Sequence, residues 1–261
     1  MVLTNADGKQ RGLLRETVDG VEFLQIHCPD TRNSLDRTLL KDFKHALDTL
    51  DGDTRVVVIQ GLPDAFCFGM DLATVVNSEM SRFEALSVAE LLYSVWERLA
   101  TGPFVSIAVV EGAANAGGVG FVACCDIVLA GPRATFSLSE LLFGLYPACV
   151  LPFLNKRIGV QKANYMTLMT TPIDVKGAHD WGLIDAFSDD PADLLRKHLL
   201  RLRLLSRENV EQYKRYSNAL PGSLSEAKGM AVSENAKMFS DPQRLKLIGK
   251  FITTGSFPWE L

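Results

Sequence analysis

The sequence predicts an α/β protein with a helical C-terminal region. Short apolar runs rich in β-branched residues at 55–60, 104–110 and 127–130 alternate with stretches in which apolar residues recur at helical spacing. From about residue 192 onward the pattern is helical throughout. We therefore expect an α/β core over residues 1–191 and a helical region over residues 192–261.

The N-terminal half carries the signals for the first elements of the core. Residues 21–27 alternate between apolar and polar side chains, which predicts a strand. Residues 32–50 place apolar side chains at helical spacing, with Ser34 as the expected N-cap. A second helix is predicted over 83–100, because the Thr101-Gly102-Pro103 segment ends the helical pattern.

The C-terminal region is predicted to form four helices separated by turn sequences. The helical stretches are 192–205, 207–219, 223–239 and 242–252, and breaks fall at Pro221-Gly222 and Asp241-Pro242. Since no low-complexity linker separates this region from the core, we expect its helices to pack on the core or on a neighbouring subunit.

Composition and charge narrow the functional classes. The chain has 261 residues, 47% of them hydrophobic and 22% charged, so it can bury a sizeable core. Its net charge of −4 argues against a sequence-wide nucleic-acid or anionic-membrane surface. The first twelve residues lack the apolar segment of an export signal, and no run of 18 apolar residues follows. We expect a cytoplasmic protein that binds neither nucleic acid nor membrane.

The cysteine and histidine residues do not show metal-ligand spacing. The five cysteines lie among apolar neighbours without CxxC spacing, and we interpret them as small buried apolar residues. The four histidines share no ligand spacing with one another or with carboxylates, so no metal site is predicted. These residues are Cys28, Cys67, Cys124, Cys125 and Cys149, and His27, His45, His179 and His198.

A glycine-rich segment follows the predicted strand 104–110. It reads EGAANAGGVGFVACCD over residues 111–126 and leads into a helical pattern, so Gly117 and Gly118 are expected at a helix N-terminus. Amide N–H groups and the positive end of the helix dipole are available there to a negative oxygen. A tight packing turn between strand and helix explains the segment equally well. The spacing does not match GxGxxG and no Walker lysine follows, which disfavours nucleotide binding.

A second turn sequence, LPDAFCFGMDL over residues 62–72, follows the predicted strand 55–60 and contains Gly69 and Met70. Together with the glycine-rich segment it resembles the two halves of the oxyanion hole in the crotonase, or enoyl-CoA hydratase/isomerase, superfamily. The resemblance runs over residues 15–190 and includes RNSLD, CCDIVLA, ATFSLSELLFGLYP and GLID in the same order. It implies a crotonase-like spiral of ββα units with a C-terminal helical trimerisation region.

The resemblance also implies site residues. The oxyanion-hole amides would be the N–H groups of Met70 and Gly117, which would bind a thioester carbonyl as it becomes an enolate. Gly69 and Gly118 lie beside them as candidate substrate-binding positions, because the absence of a Cβ lets a substrate approach the backbone. Asp71, just before a helical run, is interpreted as a helix cap.

Typical hydratases of the family carry two catalytic glutamates, and this chain matches one of them. The first position aligns with Gly120, which cannot titrate, and the second with Glu140. Glu140 lies between Leu138 and Leu141, and apolar neighbours raise the pKa of a carboxyl group, which suits a group that takes and returns a proton. A solvated or salt-bridged carboxylate is the alternative interpretation.

A narrower resemblance indicates the reaction. The segments NAGGVGFV, QKANYMTLMT and LLRKHLLRLR and the tail FPWE are similar to the dehydratases of polyketide β-branching cassettes. Those enzymes remove water from a 3-hydroxy-3-methylglutaryl chain, held as a thioester on an acyl carrier protein, and give a 3-methylglutaconyl chain. A second crotonase-family partner then decarboxylates that product.

For this chain the resemblance implies dehydration with Glu140 as acid and base, in a homotrimer or hexamer. No cofactor is expected beyond the phosphopantetheine of the carrier protein, or CoA, that holds the substrate. Asn115 and Tyr146 are candidates for contact with the β-hydroxyl or the distal carboxylate of the substrate. Loop capping by Asn115 and core filling by Tyr146 are the alternatives.

An acidic carrier protein would need a local basic surface despite the net negative charge. Candidate surfaces are formed by Lys156, Arg157 and Lys162, or by Arg196, Lys197, Arg201, Arg203 and Arg207. The second set also fits the solvated face of a helix, opposite a stripe of leucines.

Two other functions stay open from the sequence. An enoyl thioester isomerase, or a hydratase acting on CoA thioesters, would use the same oxyanion hole, and double-bond migration needs only one carboxylate. The alternative outside the enzymes is a crotonase-like scaffold protein without catalytic activity.

Overall fold

The computed structural model describes residues 11–77, 81–220 and 224–257. Within these ranges the chain forms ten strands and ten α-helices. The strands are β1 (Gly12–Val18), β2 (Val21–His27), β3 (Val56–Gln60), β4 (Ala65–Cys67), β5 (Val105–Val110), β6 (Ala113–Asn115), β7 (Ile127–Ala130), β8 (Thr135–Ser137), β9 (Ile173–Asp174) and β10 (Ala186–Phe187). The helices are α1 (Arg37–Asp48), α2 (Leu72–Asn77), α3 (Arg82–Thr101), α4 (Gly117–Cys124), α5 (Leu151–Met169), α6 (Val175–Asp180), α7 (Pro191–Leu202), α8 (Arg207–Asn218), α9 (Leu224–Phe239) and α10 (Pro242–Thr254). The predicted break at Pro221-Gly222 and the tail from Pro258 onward lie outside the described residues.

The strands form two sheets, and the chain winds as a spiral that alternates between them. The larger sheet has the order β1-β2-β3-β5-β7-β10, with β1 and β2 antiparallel and the other neighbours parallel. The smaller sheet has the order β4-β6-β8-β9, with β9 antiparallel to β8. The pairs β3–β4, β5–β6 and β7–β8 each place one strand in each sheet before the chain enters a helical segment. This confirms the predicted spiral of ββα units.

The larger sheet is covered by helices on both faces, because its central strands are apolar on both sides. In β3, Val57 and Ile59 pack into the core that also contains residues of α1 and α3. Val56 and Val58 face the other way and pack against Leu195 and other leucines of α7. Helix α7 therefore lies on the sheet face opposite α3, and its leucine stripe is the buried side of the helix.

Several sequence predictions agree with these elements, and one N-cap does not. Helix α1 begins at Arg37 rather than near residue 32, and its cap is Asp36, whose side chain accepts from Leu39 N at 2.7 Å. The expected cap, Ser34, instead donates its hydroxyl to Thr31 O at 2.7 Å. The prediction was wrong because a carboxylate two residues further along serves as the acceptor. All five cysteines are buried and free, as expected.

The C-terminal helix α9 packs along α3 of the same chain. Tyr93 of α3 donates its hydroxyl to Leu224 O at 2.6 Å. Lys228 of α9 forms ion pairs with Glu90 at 2.9 Å and Glu97 at 3.2 Å. These contacts place α9 over the core, as expected for the C-terminal region.

Helix α8 is fixed to the core by a buried lysine. Lys214 is 3% exposed. Its ammonium group donates to Asp126 at 2.7 Å and to the carbonyl oxygens of Phe104 and Leu99 at 3.0 and 3.1 Å. Asp126 also accepts from Ser106 N at 2.7 Å, so the ion pair is part of a satisfied polar network.

Lys214→Ala is expected to lower the free energy of unfolding by about 3 kcal/mol, because it removes the countercharge of the partly buried Asp126 carboxylate and a donor to two carbonyl oxygens. Lys44→Ala is the matched control, since Lys44 pairs with Asp48 at 2.7 Å on the surface of α1. That control should stay within about 0.5 kcal/mol of the wild type. Urea denaturation of both variants measures the difference. Equal losses would mean that the buried pair contributes no more than the exposed one.

None of the described helices combines the length and the apolar character needed to cross a membrane.

Candidate active site

The glycine-rich segment forms a tight turn between β6 and α4. Ala116 adopts φ +50° and ψ −117°, a backbone conformation that is unusual for a residue with a side chain. Ala116 N–H donates to Ser137 O at 3.0 Å, and Val119 N–H donates to Ala116 O at 2.9 Å. Gly117 is thereby the first residue of α4, and its N–H is one of the free donors of a helix N-terminus.

A second turn after β4 presents Met70. Leu35 N–H donates to Gly69 O at 2.7 Å and Asp71 N–H donates to Leu35 O at 2.9 Å, which forms a parallel bridge between Leu35 and Met70. In such a bridge the N–H of the central residue points away from its partner, so Met70 N–H faces away from Leu35. Asp71 accepts from Ala73 N at 3.0 Å, which agrees with its interpretation as a helix cap.

The fold brings these two turns into contact. A Cβ atom added at Gly69 would lie 2.7 Å from Gly117 N, and one added at Gly117 would lie 3.2 Å from Gly69 Cα. Met70 and Gly117 line the same cavity. The hydrogen bonds among the described residues use neither of their N–H groups. Both amides are therefore available to an oxygen of a ligand, which is what an oxyanion hole requires, and their catalytic role stays a prediction.

Gly69 and Gly118 have a packing reason to be glycine. Neither residue lines the cavity. A Cβ at Gly118 would lie 2.0 Å from Cys67 O, and Gly69 has φ +78°, which favours glycine. At both positions glycine allows the close approach of α4 to the turn after β4, and contact with substrate stays a prediction.

The cavity lies between the two turns, the segment after β8, and helices α3 and α9. Together with its opening to solvent it has a volume of about 590 Å³. Most of its wall is apolar or aromatic. The polar side chains in the wall include Asn115, Ser139, Glu140, Tyr146 and Asn235. Among the residues that the structure describes, no cluster of three histidine, cysteine or acidic side chains is placed to hold a metal.

Glu140 supplies the carboxyl group of the cavity. It begins a short 3-10 turn, Glu140–Phe143, which Gly144 ends with φ +70°. Its Oε2 atom is buried and has no hydrogen-bond partner among the described residues. Burial raises the pKa of Glu140 from its usual 4.5 to about 7, although backbone N–H groups of Glu140 and Ser139 act to lower it. A carboxyl group with this pKa can both take and return a proton near neutral pH.

Asn115 connects the β6–α4 turn to the segment that precedes Glu140. Ser137 Oγ donates to Asn115 Oδ1 at 2.9 Å, and Asn115 Nδ2 donates to Ser139 Oγ at 3.1 Å. Asn115 therefore lines the cavity and also holds a loop. These contacts fix the position of Glu140 relative to the amide of Gly117.

Tyr146 lines the cavity, and its hydroxyl donates to Glu234 of α9. The hydrogen bond to Glu234 raises the pKa of Tyr146, so the hydroxyl keeps its proton. The ring packs against the small apolar cluster that contains Phe143 and Met238. Tyr146 thus joins α9 to the cavity wall, and its contact with substrate stays a prediction.

Three polar residues of the wall were not predicted from the sequence. Ser139 adjoins Glu140 in the same motif, and that adjacency was an available signal. Trp96 of α3 and Asn235 of α9 carry no local signal, since they reach the cavity only through the packing of their helices.

The predicted basic surfaces are largely used within the chain. Arg157 donates to the carbonyl oxygens of Leu183 at 2.6 Å and Cys125 at 2.8 Å. On α7, two of the basic residues pair with Asp193. Because the leucines of α7 pack on the sheet, the basic residues of this helix lie on its exposed face, and docking of a carrier protein there stays a prediction.

Comparison with known proteins shows likeness over nearly the whole chain. The family model described as enoyl-CoA hydratase/isomerase matches residues 16–260. The bacillaene synthase dehydratase PksH of Bacillus subtilis (strain 168) is 48% identical over 239 residues, spanning 91% of this chain and 92% of the relative. The 2,3-dehydroadipyl-CoA hydratase of Escherichia coli (strain K12) is 31% identical over 186 residues, spanning 70% of each chain.

Solved structures give the same result. The crystal structure of PksH from Bacillus subtilis, described as a polyketide biosynthesis enoyl-CoA hydratase, matches with a TM-score of 0.89 and 44% identity. The match covers 95% of this chain and 99% of that chain. An enoyl-CoA hydratase from Bacillus halodurans, at 18% identity, shows the same fold with a TM-score of 0.82 over 90% of this chain and 98% of its own.

Proposed function

The chain belongs to the enoyl-CoA hydratase/isomerase family, and on that premise we propose its reaction. It removes water from a 3-hydroxy-3-methylglutaryl thioester on an acyl carrier protein and gives a 3-methylglutaconyl thioester. The general reaction class is that of a hydro-lyase related to polyketide-associated dehydratases, and the 48% identity with PksH supports it. The observation that carries the proposal is a buried carboxyl group, Glu140, in the same cavity as two free backbone amides.

The two amides support formation of the enolate. Removal of the α-proton of a thioester places negative charge on the carbonyl oxygen, and each preorganised donor contributes about 3–4 kcal/mol to such a transition state. The N–H groups of Met70 and Gly117 belong to backbone held by the Leu35 bridge and by the contact of Ala116 with Ser137. Because they are backbone groups, these amides keep their orientation and cannot be lost by rotation of a side chain. We assign them as the hydrogen-bond donors to the thioester carbonyl oxygen.

Glu140 serves both proton transfers in this mechanism. As a carboxylate it takes the α-proton, and the enolate then expels the β-hydroxyl group. Protonated Glu140 returns the same proton to the leaving oxygen, so water departs and the carboxylate is restored. A pKa of about 7 for Glu140 suits a group that must be a base first and an acid second.

The substrate is proposed to arrive on the phosphopantetheine arm of a carrier protein, with no other cofactor. PksH is named as part of bacillaene synthase, and this name supports a thioester held in a polyketide assembly system. The product retains its distal carboxylate one methylene group away from the new double bond, so a decarboxylating enzyme of the same superfamily is the expected consumer.

The proposal is tested by loading 3-hydroxy-3-methylglutaryl onto a carrier protein and following its mass in the presence of the purified chain. We expect loss of one water, and slower loss from the same acyl group on CoA or pantetheine. Migration of an enoyl double bond without loss of water would identify an isomerase instead. A chain that changes none of these thioesters would fit the non-catalytic alternative.

A further inference from the structure

Two residues that line the cavity each carry a buried polar atom without a hydrogen-bond partner among the described residues. These atoms are the Nε1 donor of Trp96 and the Oε2 acceptor of Glu140. Trp96 is 0% exposed, so solvent does not reach its indole N–H in the folded chain. Leaving a buried donor unpaired costs free energy, and native proteins rarely do so without a functional reason. A donor and an acceptor left unpaired in one wall indicate a ligand that completes both.

Packing holds the indole of Trp96 in one position. The ring makes edge contacts with Phe121 and Phe153, each at a centroid distance of 5.8 Å. A Cβ added at Gly120 would lie 2.3 Å from the indole carbon Cζ2, and one added at Gly117 would lie 3.8 Å from the same atom. The indole therefore fills the space that a side chain at position 120 would need, and it lies near Gly117, which carries one of the free amides.

The other side-chain donors in the wall are used or can be hydrated, and the free backbone amides of Met70 and Gly117 are assigned to the carbonyl oxygen. The amide of Asn115 and the hydroxyl of Ser139 hydrogen-bond each other, and Tyr146 donates to α9. Asn235 is partly exposed, so solvent can satisfy its amide. The indole N–H of Trp96 has neither kind of partner.

We propose that the indole N–H of Trp96 donates a hydrogen bond to the oxygen that leaves during dehydration. This inference rests on the proposed function. When the substrate's Cβ–O bond breaks, its electron pair moves to the departing oxygen, and Glu140 delivers to that oxygen the proton taken from Cα. The indole keeps its proton throughout and stabilises the negative charge that develops on the oxygen before the transfer is complete. Trp96 is thus a catalytic donor that recognises the β-hydroxyl group.

The decisive variant removes only the N–H group. Replacing Trp96 with β-(3-benzothienyl)alanine exchanges the indole nitrogen for sulfur and keeps the bicyclic shape, and the same replacement at Trp181 is the matched control. Two reactions are measured. One is dehydration of the carrier-bound 3-hydroxy-3-methylglutaryl group, and the other is deuterium exchange at the α-carbon of a 3-methylglutaryl thioester, which lacks the hydroxyl group.

Dehydration is expected to slow by about tenfold to a hundredfold when the indole N–H is removed. Exchange at the α-carbon should stay within about twofold, because it uses the amides and Glu140 but has no leaving oxygen. The Trp181 replacement should change neither rate. Equal slowing of both reactions would assign Trp96 a packing role, and unchanged dehydration would show that the N–H does not contact the leaving oxygen. Either result overturns the proposal.

A binding measurement keeps this inference separate from the proposed reaction. In ¹⁵N-labelled Glu140→Gln protein, the indole resonance of Trp96 is identified by its loss in the benzothienyl variant. It should move downfield with the 3-hydroxy-3-methylglutaryl thioester and not with the 3-methylglutaryl thioester. If the wild type releases no water, the proposed dehydration fails, and this shift still decides whether Trp96 binds a hydroxyl group. Absence of the shift with the hydroxylated ligand overturns the inference.

Discussion

Glu140→Gln is expected to lower the rate of dehydration by about 10³- to 10⁴-fold and to leave thioester binding nearly unchanged. Glutamine keeps the size of the side chain but cannot take the α-proton or return it to the leaving oxygen. Met70 and Gly117 still present their amides in this variant, so the carbonyl oxygen keeps its donors. Single-turnover kinetics measure the rate, and calorimetry with an unreactive thioester measures the affinity. Retained turnover would remove Glu140 from the mechanism.

The same variant should be more stable than the wild type at alkaline pH. The pKa of Glu140 is raised by burial from 4.5 to about 7, so the folded state binds this proton more tightly than the unfolded state does. Its stabilising effect is therefore complete below about pH 4.5 and is lost as the pH rises through about 7. At pH 8 the buried carboxylate costs about 3 kcal/mol, and Glu140→Gln removes that cost.

Urea denaturation at pH 5 and pH 8 tests this linkage. The gain in the free energy of unfolding for Glu140→Gln should be larger at pH 8 than at pH 5. Glu211→Gln is the matched control, because Glu211 is exposed on α8 and its replacement should show no such difference. A gain that does not depend on pH would mean that the carboxyl group of Glu140 is solvated in the folded protein.

Gly118→Ala is expected to destabilise the protein by about 3 kcal/mol and to lower turnover with it. The added Cβ would lie 2.0 Å from Cys67 O, which is backbone of β4 and cannot move as a side chain can. Relief of this overlap must separate α4 from β4, and these elements carry the turns with Gly117 and Met70. The variant should therefore also change the spacing of the two amides. Thermal or urea unfolding and the dehydration assay measure the two effects.

Gly229→Ala provides the control for helix propensity. Gly229 lies within α9, and a Cβ there would have no heavy atom within 4 Å. Alanine at this position should raise the free energy of unfolding by about 0.5–1 kcal/mol, since it restricts the unfolded chain and favours the helix. If Gly118→Ala were as stable as Gly229→Ala, the close contact of α4 with β4 would not exist in solution.

Some elements with regular patterns were predicted from the sequence, whereas the strand β1 and the long helix α5 were not. The predicted strands 21–27 and 127–130 coincide with β2 and β7, and the helix predicted over 83–100 is α3 to within a residue at each end. The strands β4, β6 and β8 were missed, because three residues are too few for an alternation pattern to register. The Ser34 cap failed for a related reason, since neighbouring Asp36 can serve as acceptor and only the final backbone geometry selects between them.

The residues of the candidate site also differ in whether they could be predicted before the structure was known. The resemblance to the crotonase superfamily, carried by the turn sequences over residues 62–72 and 111–126 and the block over 134–147, implied the spiral of ββα units and the segments with Met70, Gly117 and Glu140. Packing alone determined that Trp96 completes the cavity wall and that Gly118 must be glycine. These two features depend on distances of a few ångströms between segments that are far apart along the chain. Such distances follow from how helices and sheets fill space together, and no short stretch of sequence encodes them.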